Sequence, residues 1–203
     1  MTRDGLLVDF GGVLTTNVFD SFAAFCRDEG LAPDTVRDLF RHEPAARDLL
    51  GDLETGRVAD AEFEARFAAM LGFEPAEGLI GRLFARMRPE ERMFDGVAAA
   101  RRAGIHTGLV SNSWGEAGYD RTRFAELFDV LVISGEIGIR KPAPEIYALA
   151  AERLGRAPER CVFVDDLAGN LKPARAIGMA TVLHRDAETT LDELEHHLGV
   201  KLR

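Results

Sequence analysis

Long apolar runs are missing from this chain. No stretch of its 203 residues reaches the length and hydrophobicity of a bilayer-spanning helix. The opening residues Met1-Thr2-Arg3-Asp4 lead into a short strand, without the apolar segment and small-residue cleavage site of a secretory signal. Cysteine is scarce. Cys26 and Cys161 stand far apart with no Cys-x-x-Cys spacing, which excludes a disulfide framework and fits a reducing cytosol. Basic residues are in deficit, 25 Lys and Arg against 34 Asp and Glu, for a formal net charge of -9. That balance excludes the Lys/Arg surface on which sequence-independent nucleic-acid binding rests, while leaving room for a local basic pocket. There is no internal repeat and no low-complexity segment. None of the five histidines falls in a motif, and the adjacent His196 and His197 read as exposed helix residues. The expectation is a cytoplasmic protein with no membrane and no nucleic-acid partner, either monomer or homodimer. Hydrophobic residues at 46% and charged residues at 29% are ordinary for a globular chain that buries a core. The length suits one α/β domain with an insertion, or two small domains.

What is present is organised around Gly5-Leu6-Leu7-Val8-Asp9-Phe10-Gly11-Gly12-Val13-Leu14-Thr15. An apolar run this short, ended by two glycines, reads as a buried parallel strand. Asp9 interrupts it near its carboxyl end. A carboxylate there is costly to bury unless it is paired or binds something. Ligands of open parallel sheets bind outside the carboxyl ends of the strands. Gly11 and Gly12 permit a tight turn and close approach of a ligand.

After Thr15 the pattern turns helical and stays so to about Arg88. Val18, Phe22 and Phe25 mark one helix, and Val36, Leu39 and Phe40 a second after Pro33-Asp34. Ala46, Leu49 and Leu50 mark a third, for which Gly51 is the expected stop. Phe63, Phe67, Met70 and Leu71 form an amphipathic face opened by Asp60 and closed by Gly72; Leu79, Ile80, Leu83, Phe84 and Met87 form another. This stretch is expected to be a helical bundle inserted after the first strand. From Phe94 onward, strands at 105–110, 130–133, 161–164 and 181–183 alternate with helices at 97–103, 124–128, 144–154, 170–177 and 191–198. Such alternation predicts a parallel sheet with right-handed crossovers and helices on both faces, a Rossmann-like three-layer α/β core. The expected domains are 1–15 with 89–203 as core, and 16–88 as a helical cap.

Other strand ends carry polar groups as the first does. The second strand ends Leu109-Val110-Ser111-Asn112-Ser113-Trp114, and the fourth ends Val162-Phe163-Val164-Asp165-Asp166. Gly138-Ile139-Arg140-Lys141-Pro142 follows the third. Parallel strands put all these ends on one edge, so carboxylates, a hydroxyl and an ammonium should converge. Asp9 and the Asp165/Asp166 pair can hold a hard divalent cation through oxygen, as Mg²⁺ prefers. Metal and Lys141 together would cancel charge between an Asp nucleophile and a phosphate. Ser111 offers a hydroxyl, with backbone N–H groups nearby, for a phosphate oxygen. The chemistry this set predicts is phosphoryl transfer through an aspartyl-phosphate.

These residues resemble the haloacid-dehalogenase-like hydrolase superfamily. DFGGVL, LVSNS, RKPAPEIY and FVDDLAGN stand in the order of its motifs, and the run from Asp165 to Leu183 resembles the phosphatase domain at the N-terminus of soluble epoxide hydrolases. The resemblance implies a Mg²⁺-dependent phosphatase of a small phosphorylated metabolite. It makes Asp9 the nucleophile and a metal ligand, and Asp166 the second carboxylate ligand with Asp165 in support. Ser111 and Asn112 match the phosphate-binding motif, with Gly11 and Gly12 beside them, Lys141 the lysine motif, and Asn170 a polar position near the metal shell. Arg140 is assigned to the surface or the pocket rim, and Asn17 and Trp114 to the pocket between cap and core. One departure stands out. The superfamily's phosphatases carry a general-acid aspartate two residues after the nucleophile. Here that residue is Gly11, whose carbonyl alone could ligate the metal. Two alternatives follow: a 2-haloacid dehalogenase using Asp9, against which Asp165 and Asp166 argue, and a weakly active binding or regulatory protein, which Gly11 favours.

Overall fold

The computed structural model describes residues 3–72, 74–115 and 118–203. Strand β1 (Gly5–Val8) is buried at every position. Its Leu6 and Val8 pack on one face of the sheet and Leu7 on the other, the period of two that a strand imposes. The remaining strands are β2 (His106–Ser111), β3 (Val130–Ile133), β4 (Cys161–Asp165) and β5 (Ala180–Leu183). They form one sheet in the order β3-β2-β1-β4-β5, parallel throughout. A run with no polar alternation can be solvated on neither face, so β1 lies at the centre of the sheet.

Among the described residues, six helices come between β1 and β2: α1 (Val18–Asp28), α2 (Thr35–His42), α3 (Pro44–Glu54), α4 (Asp60–Leu71), α5 (Leu79–Leu83) and α6 (Glu91–Arg102). The rest are α7 (Arg121–Leu127), α8 (Ser134–Ile137), α9 (Pro144–Leu154), α10 (Ala168–Ala176) and α11 (Ala187–Leu198). Apolar residues of α6, α7 and α11 cover the Leu6 and Val8 face, and those of α9 and α10 cover the Leu7 face. The expected layered α/β architecture is therefore the one the chain adopts.

Helices α1 to α5 pack around a separate apolar cluster that includes Phe22, Phe25, Leu49, Phe63, Phe67 and Leu83. The chain leaves the sheet and returns to it side by side. Thr15 pairs with Pro89 in an antiparallel bridge, Thr16 N–H donates to Arg88 O at 2.8 Å, and Glu90 N–H donates to Leu14 O at 2.9 Å.

Several expected boundaries move. Gly51 does not stop α3, which runs on to Glu54. The helical ladder continues through it, Thr55 N–H donating to Gly51 O at 3.2 Å, and a Cβ at Gly51 would make only ordinary contact with the Arg140 guanidinium, 3.4 Å from its carbon. Helix α6 begins at Glu91, earlier than the apolar periodicity indicates, because the Glu90 side chain accepts from Arg92 N–H and caps it. Helix α11 likewise starts at Ala187, capped by Asp186 accepting from Thr189 N–H. Gly72, at φ 79°, does close α4 as expected.

Candidate functional site

The register fixes where the polar strand ends meet. Val8 pairs with Leu109 on one side and Val164 on the other, so Asp9 stands level with Val110 and Asp165. Asp9 N–H donates to Val164 O at 2.9 Å, extending the ladder by one residue. The chain winds to opposite sides from β1 and β4, which makes their shared end a topological switch point.

Lys141 lies between two carboxylates, its Nζ 2.6 Å from Asp9 Oδ1 and 2.7 Å from Asp165 Oδ2. All three residues are buried. Burial alone would lower the Lys141 pKa, but Asp9 and Asp165 outweigh it and hold the ammonium charged well above its ordinary range. Burial pushes the Asp9 carboxyl up, with Lys141 opposing and Asp165 and Asp166 adding to the rise. Asp9 Oδ1 also accepts from Phe10 N–H at 2.7 Å, so that oxygen is held twice. Asp165 accepts from Leu167 N–H at 2.8 Å and from the Asn170 amide at 2.9 and 3.0 Å. Asn170 thus anchors α10 to the end of β4.

Asp166 sits opposite Gly12. The glycine has φ 80°, and a Cβ there would fall 2.4 Å from Asp166 Oδ2. Only glycine permits this approach. Burial first, and Asp165 second, raise the Asp166 pKa to about 6. Asp9, Asp165 and Asp166 each offer a carboxylate oxygen, all within 4.8 Å of one another. Three carboxylates around one ammonium leave negative charge that an oxygen-ligated divalent cation would neutralise. The donor set fits such an ion.

The two residues expected to bind phosphate divide in the structure. Ser111 ends β2 with its Oγ 2.9 Å from the Tyr119 hydroxyl. Burial pushes the Tyr119 phenol up, so it is neutral and able to donate. Asn112 turns its amide to the lysine loop: its Oδ1 accepts from Lys141 N–H at 2.8 Å and its Nδ2 donates to Lys141 O at 3.1 Å. The glycines divide too. Gly12 N–H donates to Thr15 Oγ1 at 3.1 Å, while Gly11 N–H makes no hydrogen bond among the described residues.

Asn17 caps α1, accepting from Phe19 N–H at 2.8 Å, and is exposed. Trp114 reaches into the helical cluster, its ring centroid 5.1 Å from Phe84, 5.5 Å from Phe22, 5.7 Å from Phe40 and 5.8 Å from Phe63. Arg140, assigned to surface or rim, is ion-paired with Glu54. Sequence reasoning missed Glu54 and Tyr119. Glu54 lies beyond Gly51, where the sequence pattern puts the end of the helix. Tyr119 belongs to no periodic pattern, and its rarity, as one of two tyrosines, was the only signal it gave.

The family model described as haloacid dehalogenase-like hydrolase matches residues 4–178. Bifunctional epoxide hydrolase 2 of Sus scrofa is 38% identical over 117 residues, 54% of this chain and 21% of that protein. This chain therefore matches only about a fifth of those epoxide hydrolases. A glyceraldehyde 3-phosphate phosphatase of Methanopyrus kandleri is 32% identical over 136 residues, 64% of this chain and 56% of that one. Among solved structures, a HAD family enzyme of Bacteroides thetaiotaomicron superposes with a TM-score of 0.70 over 97% of this chain and 98% of its own, at 20% identity. That enzyme has also been crystallised as a magnesium complex.

Proposed function

This chain belongs to the haloacid dehalogenase-like hydrolase family, and from that premise we propose that it is a magnesium-dependent phosphatase of a small phosphorylated metabolite. In this reading residues 16–88 form a cap over the core of 1–15 and 89–203. The observation that carries it is the placing of Lys141 between Asp9 and Asp165, with Asp166 alongside and, among the described residues, in no ion pair. A haloacid needs no such collection of carboxylates, whereas a phosphate ester and a divalent ion do.

Asp9 attacks through Oδ2, the oxygen free of hydrogen bonds among the described residues, because Oδ1 is fixed by Lys141 and Phe10 N–H. The P–O bond to the leaving group breaks, and an aspartyl-phosphate remains on Asp9. Lys141 holds the attacking carboxylate in place and sets positive charge beside the transferring group. Ser111 and the Gly11 N–H are the phosphate donors. Asp9, Asp166 and the Gly11 carbonyl would hold the magnesium ion, with Asp165 and Asn170 in support; when bound, it supplies charge cancellation between nucleophile and phosphate. Water then attacks phosphorus and frees Asp9. The phosphatase name of the Methanopyrus relative and the magnesium complex of the Bacteroides enzyme support this assignment.

Phosphate release from a panel of phosphate esters, with magnesium and with EDTA, tests the proposal. Magnesium-dependent release is expected from the wild type. Full activity in EDTA, or no release from any ester, refutes it.

A further inference from the structure

Glu54 breaks two local rules. It is the last residue of α3, where the helix dipole disfavours negative charge. It is also buried, at 6% exposure, where a carboxylate must be compensated. It belongs to the helical unit, yet its partners lie in the α/β core. Its Oε2 pairs with the Arg140 guanidinium and accepts from Asn112 Nδ2 at 3.3 Å. Its main-chain carbonyl accepts from Ser134 Oγ, and that same hydroxyl accepts from Ser113 N–H at 2.8 Å.

The two side-chain partners converge on one residue. Arg140 precedes Lys141 in the chain, and Asn112 holds both the N–H and the carbonyl of Lys141. From these contacts we infer that Glu54 is a positioning residue: a carboxylate borne by the helical unit that locks the Lys141 loop from both sides and so aims the ammonium between Asp9 and Asp165. Glu54 touches no reacting atom. Its effect passes through the backbone of 140–141 and the Asn112 amide. Docking of the helical unit and placement of the catalytic lysine are therefore one event. The inference rests on the phosphatase reading for its kinetic consequence, and its structural consequence is independent of that reading.

Misplacing a catalytic group by about 1 Å can cost about a hundredfold in rate. Glu54→Gln keeps side-chain length and hydrogen-bonding reach but loses the ion pair; Glu54→Met keeps the volume and loses both. The expected result is a kcat lowered about tenfold in Glu54→Gln and further in Glu54→Met, with KM within about threefold of wild type. Deuterium uptake by the segment 138–143 should rise in both, with uptake in α4 and α9 unchanged. Gln preserves a polar group among polar partners, so Glu54→Gln keeps the test open if the Met variant does not fold. Wild-type kcat together with wild-type uptake at 138–143 in a folded variant overturns the inference. So does uptake that rises uniformly through helical unit and core, since that marks a merely structural contact. If the wild type releases no phosphate from any ester, the phosphatase reading fails and the uptake comparison alone decides.

Discussion

Asp166→Asn should stabilise the metal-free protein. Lys141 is bonded to Asp9 and Asp165, and Asp166 makes no ion pair among the described residues. Its carboxyl is moved from the ordinary 3.8 to about 6, by burial and by Asp165. The folded protein therefore takes up this proton more readily than the unfolded chain. The stability tied to it is fully present below about pH 4, falls as the pH rises towards 6, and remains lost at neutral pH. At 1.36 kcal/mol per unit the loss is about 3 kcal/mol. Asparagine carries no charge at any pH and escapes it. In EDTA at pH 7.5 the variant should exceed wild type by about 2–3 kcal/mol, a rise of about 5–10 °C in Tm for a chain of this size. The gap should close as the pH falls to 4, where wild-type Asp166 is protonated. Magnesium at a thousand times its Kd should reverse the ranking, since a ligand there adds about 4.1 kcal/mol to the protein that binds it. Thermal and urea unfolding of both proteins, at pH 4.5 and 7.5 with EDTA or magnesium, make the measurement. A variant no more stable than wild type in EDTA at pH 7.5, or an advantage unchanged at pH 4.5, would refute the reasoning.

Asp9→Asn should abolish phosphate release while the unfolding transition stays cooperative; residual hydrolysis in the purified variant would exclude attack by Asp9. With no acid at Gly11, kcat/KM should rise steeply as leaving-group pKa falls, because general-acid help worth about 10²–10⁴ is missing; a flat series across aryl, sugar 1-phosphate and primary alkyl esters would mean another group donates the proton. Gly11→Asp should assist poor leaving groups selectively and lower stability by about 1–3 kcal/mol, since its Cβ would meet Val18 Cγ2 at 3.0 Å; a rate gain equal for all esters would contradict an acid role. Trp114→Ala should cost about 3–5 kcal/mol in urea unfolding through lost contact with Phe22, Phe40, Phe63 and Phe84; a cost under 1 kcal/mol would show those rings repack without it.

The sheet and its edge were legible because each strand states its own burial. Leu6, Leu7 and Val8 carry no alternation, and a polar residue then appears where the strand leaves the core. Parallel pairing converts that local pattern into a shared edge, so Asp9, Ser111 and Asp165 could be gathered from sequence alone. The helical unit was legible as helices but not as contacts. Gly51 looks like a stop because glycine commonly ends helices and nothing nearby in sequence says that α3 continues to Glu54. Glu54 stayed unread for the same reason: its partners lie 58 and 86 residues away. Position within a motif points Asn112 toward phosphate, but position does not say which way an amide faces, and here the amide holds the Lys141 backbone. Gly12 reads from the sequence as a place where a ligand comes close; the side chain that comes close to it in the structure is Asp166.

The Thr15–Pro89 bridge has a consequence for how the chain folds. Strand β1 must find β2, with Gly5 opposite His106, across roughly a hundred residues. If the helical unit collapses first, the paired ends at 14–16 and 88–90 act as a clasp, and the loop still to be closed shrinks to roughly a quarter of that. Closure entropy falls by about 0.6 kcal/mol for each halving, so about 1.2 kcal/mol is removed from the barrier, roughly a sevenfold gain in rate. Mutations inside the helical unit are then expected to slow folding of the whole chain, and not merely to hasten its unfolding. Chevron plots of Leu49→Ala and Phe67→Ala would decide it: changes confined to the unfolding arm would mean the sheet closes without waiting for the clasp.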